Sequence, residues 1–261
     1  MIRTEVRLRI FFSLILLLSL AISLVAQSDE SVDPADAAQA RSEEEFDLYL
    51  EVVTAPDPHQ VIDKVDIFAL QFPHSELLSG AYQCKMRACE ELNDFACTLD
   101  AGRKALLGNP NDVHTLLTLA SAMASRAPGR PDRDQLLSQA AEDANLALAQ
   151  IDATRLSRKV SLQEWTEQKR QLQSEAHGAL GLVALQRKQN STAVQELSTS
   201  IRLSTQPTGI QFLRLGLALN SIASTKEAED NFRQAAELGP DPVRSLALRE
   251  LKVLSEKNFG R

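Results

Sequence analysis

Residues Ser174–Pro240, SEAHGALGLVALQRKQNSTAVQELSTSIRLSTQPTGIQFLRLGLALNSIASTKEAEDNFRQAAELGP, carry one pattern twice. Leu180-Gly181 returns as Leu215-Gly216, Ala193 as Ala228, Leu197 as Phe232 and Ser200 as Ala235, each displaced by 35 residues. Self-similarity at a fixed period of a few tens of residues marks a repeat array. Leu215 and Leu219 stand four apart and share a helix face. Ala228, Phe232 and Ala235 fall at i, i+4 and i+7, one stripe at helical period. Each unit therefore reads as two antiparallel helices. Gly216 is expected where a neighbouring helix passes too close for a side chain. One such pair cannot bury its apolar faces alone, so the units must stack.

The order Leu-Gly, then Ala twelve residues after the Gly, then Phe or Leu four further on, a small residue and Pro240 resembles the tetratricopeptide repeat (TPR). The resemblance runs over about residues 43–257 and is to exported bacterial members of that family. It implies an all-α, right-handed α-solenoid, a TPR superhelix of about five helical hairpins plus a C-terminal capping helix. It also implies a rigid curved surface that binds a protein or peptide and makes or breaks no bonds. Carrying the family's concave-face positions over gives Gln83, Arg87, Glu90 and Glu91, then His114, Leu117 and Ser121, then Leu182, Leu185 and Gln186, then Ile210, Leu213, Leu217, Asn220 and Ser221. The partner-binding set expected from these is Arg87, Leu117, Ser121, Leu182, Leu185, Ile210, Leu213, Leu217 and Asn220. Its C-terminal half is apolar, which fits either a groove for an amphipathic helix or apolar peptide, or a face covered by the terminal helix or a packed loop. The Lys/Asn clamp that some TPR modules use on C-terminal carboxylates is missing.

Upstream of the repeats, residues 1–26 read as an export signal. Arg3, Arg7 and Arg9 precede the apolar run Ile10–Val25, and Leu24-Val25-Ala26 ends in a small residue before Gln27-Ser28-Asp29-Glu30. The run is long for a cleaved leader, so a retained membrane anchor through residues 10–26 is the rival. Localisation is thus expected to be periplasmic or secreted, or else at the inner membrane. Residues 27–42 read as a flexible linker.

The repeat units are expected at about 43–75, 79–112, 113–151, 161–207 and 208–241, with the cap at 242–257. Asp57-Pro58 is a helix start, with Asp as N-cap and Pro in the first turn. The second unit lacks the Leu-Gly pair, since Lys85-Met86 stand there, and Thr98 replaces the Ala. In the third, Pro128-Gly129-Arg130-Pro131-Asp132 interrupts the period. Ser161-Leu162-Gln163-Glu164 has the form of a capping box and opens a helix expected to reach about Arg187, overlong at roughly 40 Å. Trp165 on that helix is expected to pack under the Pro128–Asp132 loop, or else to stand exposed as a partner-binding anchor.

Composition narrows the function classes. Aromatics are 5% of the chain, with ten Gly and ten Pro, which suits all-α structure. The formal charge is −7, and −9 once Arg3, Arg7, Arg9 and Glu5 leave with the first 26 residues. An acidic chain lacks the basic footprint that nucleic acid requires.

Cys84, Cys89 and Cys97 all lie in the second unit. Their spacing fits no zinc finger, and they read as buried thiols or as a Cys89–Cys97 bridge across a hairpin turn. His59, His74, His114 and His177 are scattered and read as packing residues. Asn190-Ser191-Thr192 falls in an inter-helix turn and reads as turn chemistry. No phosphate loop, nucleophile elbow or dinucleotide fingerprint is present, so no catalytic, cofactor or metal residues are expected. Two alternatives stay open: self-association through the long helix 161–187, with the oligomeric state unassigned, and a ligand-binding or enzymatic pocket at the 128–160 insertion.

Overall fold

The computed structural model describes residues 38–154 and 160–259. The leader and most of the linker lie outside them. Among the described residues there are eleven α-helices and no strand. They are α1 (Glu43–Val53), α2 (Pro58–Gln71), α3 (Leu78–Glu91), α4 (Phe95–Gly108), α5 (Val113–Arg126), α6 (Arg133–Ala153), α7 (Leu162–Gln186), α8 (Asn190–Leu203), α9 (Gly209–Ser221), α10 (Thr225–Leu238) and α11 (Asp241–Phe259). No helix of the described residues is long and apolar enough to cross a membrane.

The helices pair in sequence as five hairpins, and α11 closes the row. The second helix of each hairpin packs on the first helix of the next, as α2 does on α3 and α8 on α9. First helices also meet, α5 with α7 and α7 with α9. This is the connectivity of an α-solenoid, in which each unit touches only its neighbours.

The Leu-Gly pairs mark crossings inside a hairpin. A Cβ built on Gly216 would lie 2.7 Å from the Phe232 ring, and one on Gly181 2.6 Å from Leu197 Cγ. The close approach is thus between the two helices of one unit. Phe232 and Leu197, at 0% and 1% exposure, fill the space that each glycine leaves. Burying a Phe side chain fully contributes about 2–3 kcal/mol.

Three hairpin turns share one geometry. Asn93, Lys188 and Ala223 have φ of 58°, 59° and 61°, the left-handed region. The following N–H groups of Asp94, Gln189 and Ser224 donate to the carbonyls of Cys89, Ala184 and Leu219, each five residues back. This Schellman pattern satisfies carbonyls that a helix end leaves open. Asp57 caps α2, accepting from His59 N at 3.0 Å and Gln60 N at 3.1 Å. Cys89 and Cys97 form a disulfide across the α3–α4 turn, and Cys84 is a free thiol.

The third and fourth hairpins depart from the period together. α6 has 21 residues and α7 has 25, the latter about 37 Å long. Their extensions meet: Lys169 pairs with Asp152 at 3.2 Å, and Gln173 donates to the same carboxylate at 3.1 Å. Trp165 is half-buried, but not under the Pro128–Asp132 loop. Arg133, just after that loop, donates to the Gln186 carbonyl at the far end of α7, about 30 Å of helix away from Trp165. The loop itself is held by Arg130, whose guanidinium lies 5.2 Å from the centre of the Phe95 ring and pairs with Asp132.

Candidate functional site

A groove of about 350 Å³ runs along the first helices of hairpins two to five. Helical period builds it. His114, Leu117 and Ser121 recur at i, i+3 and i+7 on α5, as do Gln171, Ser174 and Gly178 on α7. Gln211 and Arg214 continue the row on α9, Glu90 closes it on α3, and Ser200 and Ser204 line it from α8 and its C-terminal end. No described residue of the 128–160 insertion lines this groove.

The groove floor is a polar network. Ser174 Oγ donates to the Ser200 carbonyl at 2.8 Å, and Ser200 Oγ returns a bond to the Ser174 carbonyl at 2.7 Å. Gln211 Nε2 donates to both hydroxyls, at 3.3 Å and 3.0 Å. Its Oε1 accepts from Thr208 N at 2.9 Å, a capping box at the start of α9. On the rim, Gln171 Oε1 accepts from Thr205, and Gln171 Nε2 donates to Glu175 at 3.1 Å. Satisfied networks of this kind fix side chains in one arrangement.

Among the described residues, three charged groups of the groove, Glu90, Glu175 and Arg214, have no ion pair, and burial shifts two of them. Burial raises the Glu90 carboxyl above its usual range. Burial also presses the Arg214 guanidinium below its ordinary value. In both, removal of water from the charged form is the cause. The guanidinium stays protonated at any working pH.

The residues expected on the concave face divide. Leu117 and Ser121 line the groove, joined by Glu90 and His114. Arg87 is exposed outside it and meets Cys84 Sγ at 3.3 Å. Leu182 is 5% exposed in the core between hairpins two, three and four, and Leu213 is 4% exposed in the C-terminal core. Leu185 and Leu217 pack half-buried against the same C-terminal core, which includes Ala247, Leu251 and Leu254 of α11. Leu182 is therefore enclosed by hairpins two to four, and Leu213 and Leu217 lie in the core that the last helix closes. Ile210 is exposed at 37% and Asn220 is half-buried, and neither lines the groove.

Sequence reasoning missed Ser174, Glu175, Gly178, Ser200, Gln211 and Arg214. Glu175 and Gly178 lie 61 residues beyond His114 and Leu117. That offset becomes a structural equivalence only once the insertion is discounted. Ser200 and Ser204 belong to the second-helix side and enter because α8 ends at the groove floor.

No metal-binding group of three or more His, Cys, Asp or Glu is found among the described residues. His177 is spent on Glu196, Nδ1 to Oε2 at 2.7 Å, between α7 and α8. No family model matches the sequence, and no curated protein matches it. Solved structures match its fold. The structure described as "MamA RS-1 ArsTM double mutant" aligns with a TM-score of 0.55 at 13% identity, over 77% of this chain and 96% of its own. TTC0263, a thermophilic TPR protein of Thermus thermophilus, aligns with a TM-score of 0.51 at 15% identity, over 80% of this chain and 98% of its own. With stacked hairpins, Leu-Gly crossings and a sealing last helix, this chain has the TPR solenoid fold.

Proposed function

We propose that this chain is a non-catalytic scaffold of the cell envelope that holds a protein or peptide segment in the groove along α5, α7 and α9. The observation that carries this reading is the groove itself. It runs across several consecutive hairpins, and the side chains of its floor are held by their own network. Rigid display keeps the entropy cost of binding low, because the receptor has little left to order. The leader-like residues 1–26 support export, and so does the Cys89–Cys97 bridge, a bond that persists in oxidising compartments.

Two experiments test this. Ser121→Arg and Thr118→Arg fill the groove from half-buried positions; both variants should fold and lose a bound peptide that the unaltered chain retains. Peptide binding unchanged in both sinks the groove. Leu213→Asp is unsuitable for this purpose, since it places a charge in the core. Fractionation with N-terminal sequencing should find the protein outside the cytoplasm, beginning at Gln27. Recovery from the cytoplasm with Met1 intact sinks the envelope assignment.

A further inference from the structure

The groove contains a cation with no answering charge. Arg214 is half-buried on α9 beside Ser174, Ser200 and Gln211, and among the described residues it has no hydrogen-bond or ion-pair partner. Other buried or half-buried cations among the described residues are treated differently. Lys85 reaches Asp66 at 2.5 Å, Arg103 reaches Asp143 at 2.9 Å, and Lys169 reaches Asp152 at 3.2 Å. A desolvated guanidinium is costly unless something pairs with it. Its five donors form a rigid fork that matches a carboxylate in two parallel bonds.

Beyond α9 the groove is lined by the other sign. Glu90 on α3 and Glu175 on α7 line it, and neither has an ion pair. His114 stands between them on α5. A wholly acidic ligand would be repelled by these two carboxylates, and a wholly basic one by Arg214.

We infer that the groove selects a partner segment of mixed charge, which sets a carboxylate on Arg214 and a basic side chain near Glu90 and Glu175. This rests on reading the groove as a peptide site and adds its specificity. The carboxylate comes from an acidic side chain or from a chain terminus.

The test is a random-peptide library displayed with free C-termini and selected on the purified full chain, on Arg214→Gln and on the Glu90→Gln/Glu175→Gln double variant. The unaltered chain should enrich peptides pairing an acid with a base. Arg214→Gln should bind those peptides at least about tenfold more weakly and lose the acid preference alone. The double variant should lose the basic preference alone. Selected peptides resynthesised with Asp→Asn, or with an amidated C-terminus, then identify the carboxylate's source by which change weakens binding. If neither change weakens it, or if Arg214→Gln selects the same peptides, the inference is overturned while the groove survives. If the peptides also bind Ser121→Arg undiminished, the groove reading falls as well. A melting curve of unliganded Arg214→Met gives a second readout. It should melt at or above the temperature of the unaltered chain, and a fall of several degrees would make the guanidinium structural.

Discussion

Single residues set the spacing of this solenoid, and glycine does so by absence. The Phe232 ring against Gly216 cannot retreat, because it is wholly buried. Gly216→Ala should therefore lower stability by about 1–3 kcal/mol, the range for overpacking. Gly209→Ala should cost more, because its Cβ would run into the Gly239 backbone and the helices themselves would have to part. Thermal melts of the two variants check the order. The second hairpin reverses the arrangement. Met86 occupies the place of Gly216, and Gly102, sixteen residues later as Phe232 is from Gly216, occupies the place of Phe232. A Cβ on Gly102 would lie 2.9 Å from Met86 Sδ. Large and small have changed sides, so the unit keeps its packing without the Leu-Gly signature. Another single-residue effect concerns pH. Burial, with Cys84 nearby, pushes the Tyr49 hydroxyl up from 10.0 to about 12. The folded state then holds that proton where the unfolded chain has released it. Its stabilising effect is present below pH 10 and is lost as pH rises towards 12, about 2–3 kcal/mol in all. Tyr49→Phe should flatten that alkaline decline in melts taken between those pH values. An equal decline in both proteins would refute it.

At the scale of elements, hairpin turns and caps carry the argument. Ala223 takes a left-handed φ of 61° that Gly adopts without cost. Ala223→Gly should leave the fold unchanged and stabilise it by up to about 1 kcal/mol, read from denaturant midpoints; loss of stability would mean that the turn relaxes in solution. The α3–α4 turn has a covalent staple in addition. Its cysteines are 8 apart in sequence, a short loop, so reduction should cost about 2–3 kcal/mol. A melt with and without reductant reads this, and Cys84→Ser should respond as the unaltered chain does. One hydrogen bond recurs between elements. Ser79 Oγ donates to the Ala105 carbonyl, and Ser174 Oγ to the Ser200 carbonyl, both across 26 residues. It confirms the register of the second hairpin, which its sequence alone left loose. The overlong α6 and α7 were half legible. Ser161–Glu164 and the helical pattern announced α7, but nothing in the residues said that Asp152 would meet Lys169 and Gln173.

For the whole molecule, stability is a sum over neighbours, and an open end is a weakness. α11 supplies Ala247, Leu251 and Leu254 to the core containing Leu213, Leu217 and Phe232. Truncation after Pro240 should expose that core. The shortened protein should bind a hydrophobic dye and associate in sedimentation, whereas a soluble, dye-silent monomer would show that α11 is dispensable. The same covering takes Leu213 and Leu217 out of the open surface, while Leu182 is enclosed by hairpins two to four. Leu182, Leu213 and Leu217 sit at the family's concave positions, yet position in a repeat does not say which neighbour lies opposite. By itself, the sequence determined the helical hairpins, their period and the sealing helix, because helical periodicity is a local property; it put the Leu-Gly pairs at crossings of adjacent hairpins, and the structure places them inside one hairpin. Only the tertiary structure decided that the groove is polar, that Ser174, Ser200 and Gln211 join in one network, and that Arg214 lacks a counter-charge. Those facts depend on residues from different hairpins, brought together by stacking across an insertion that no fixed period can count through.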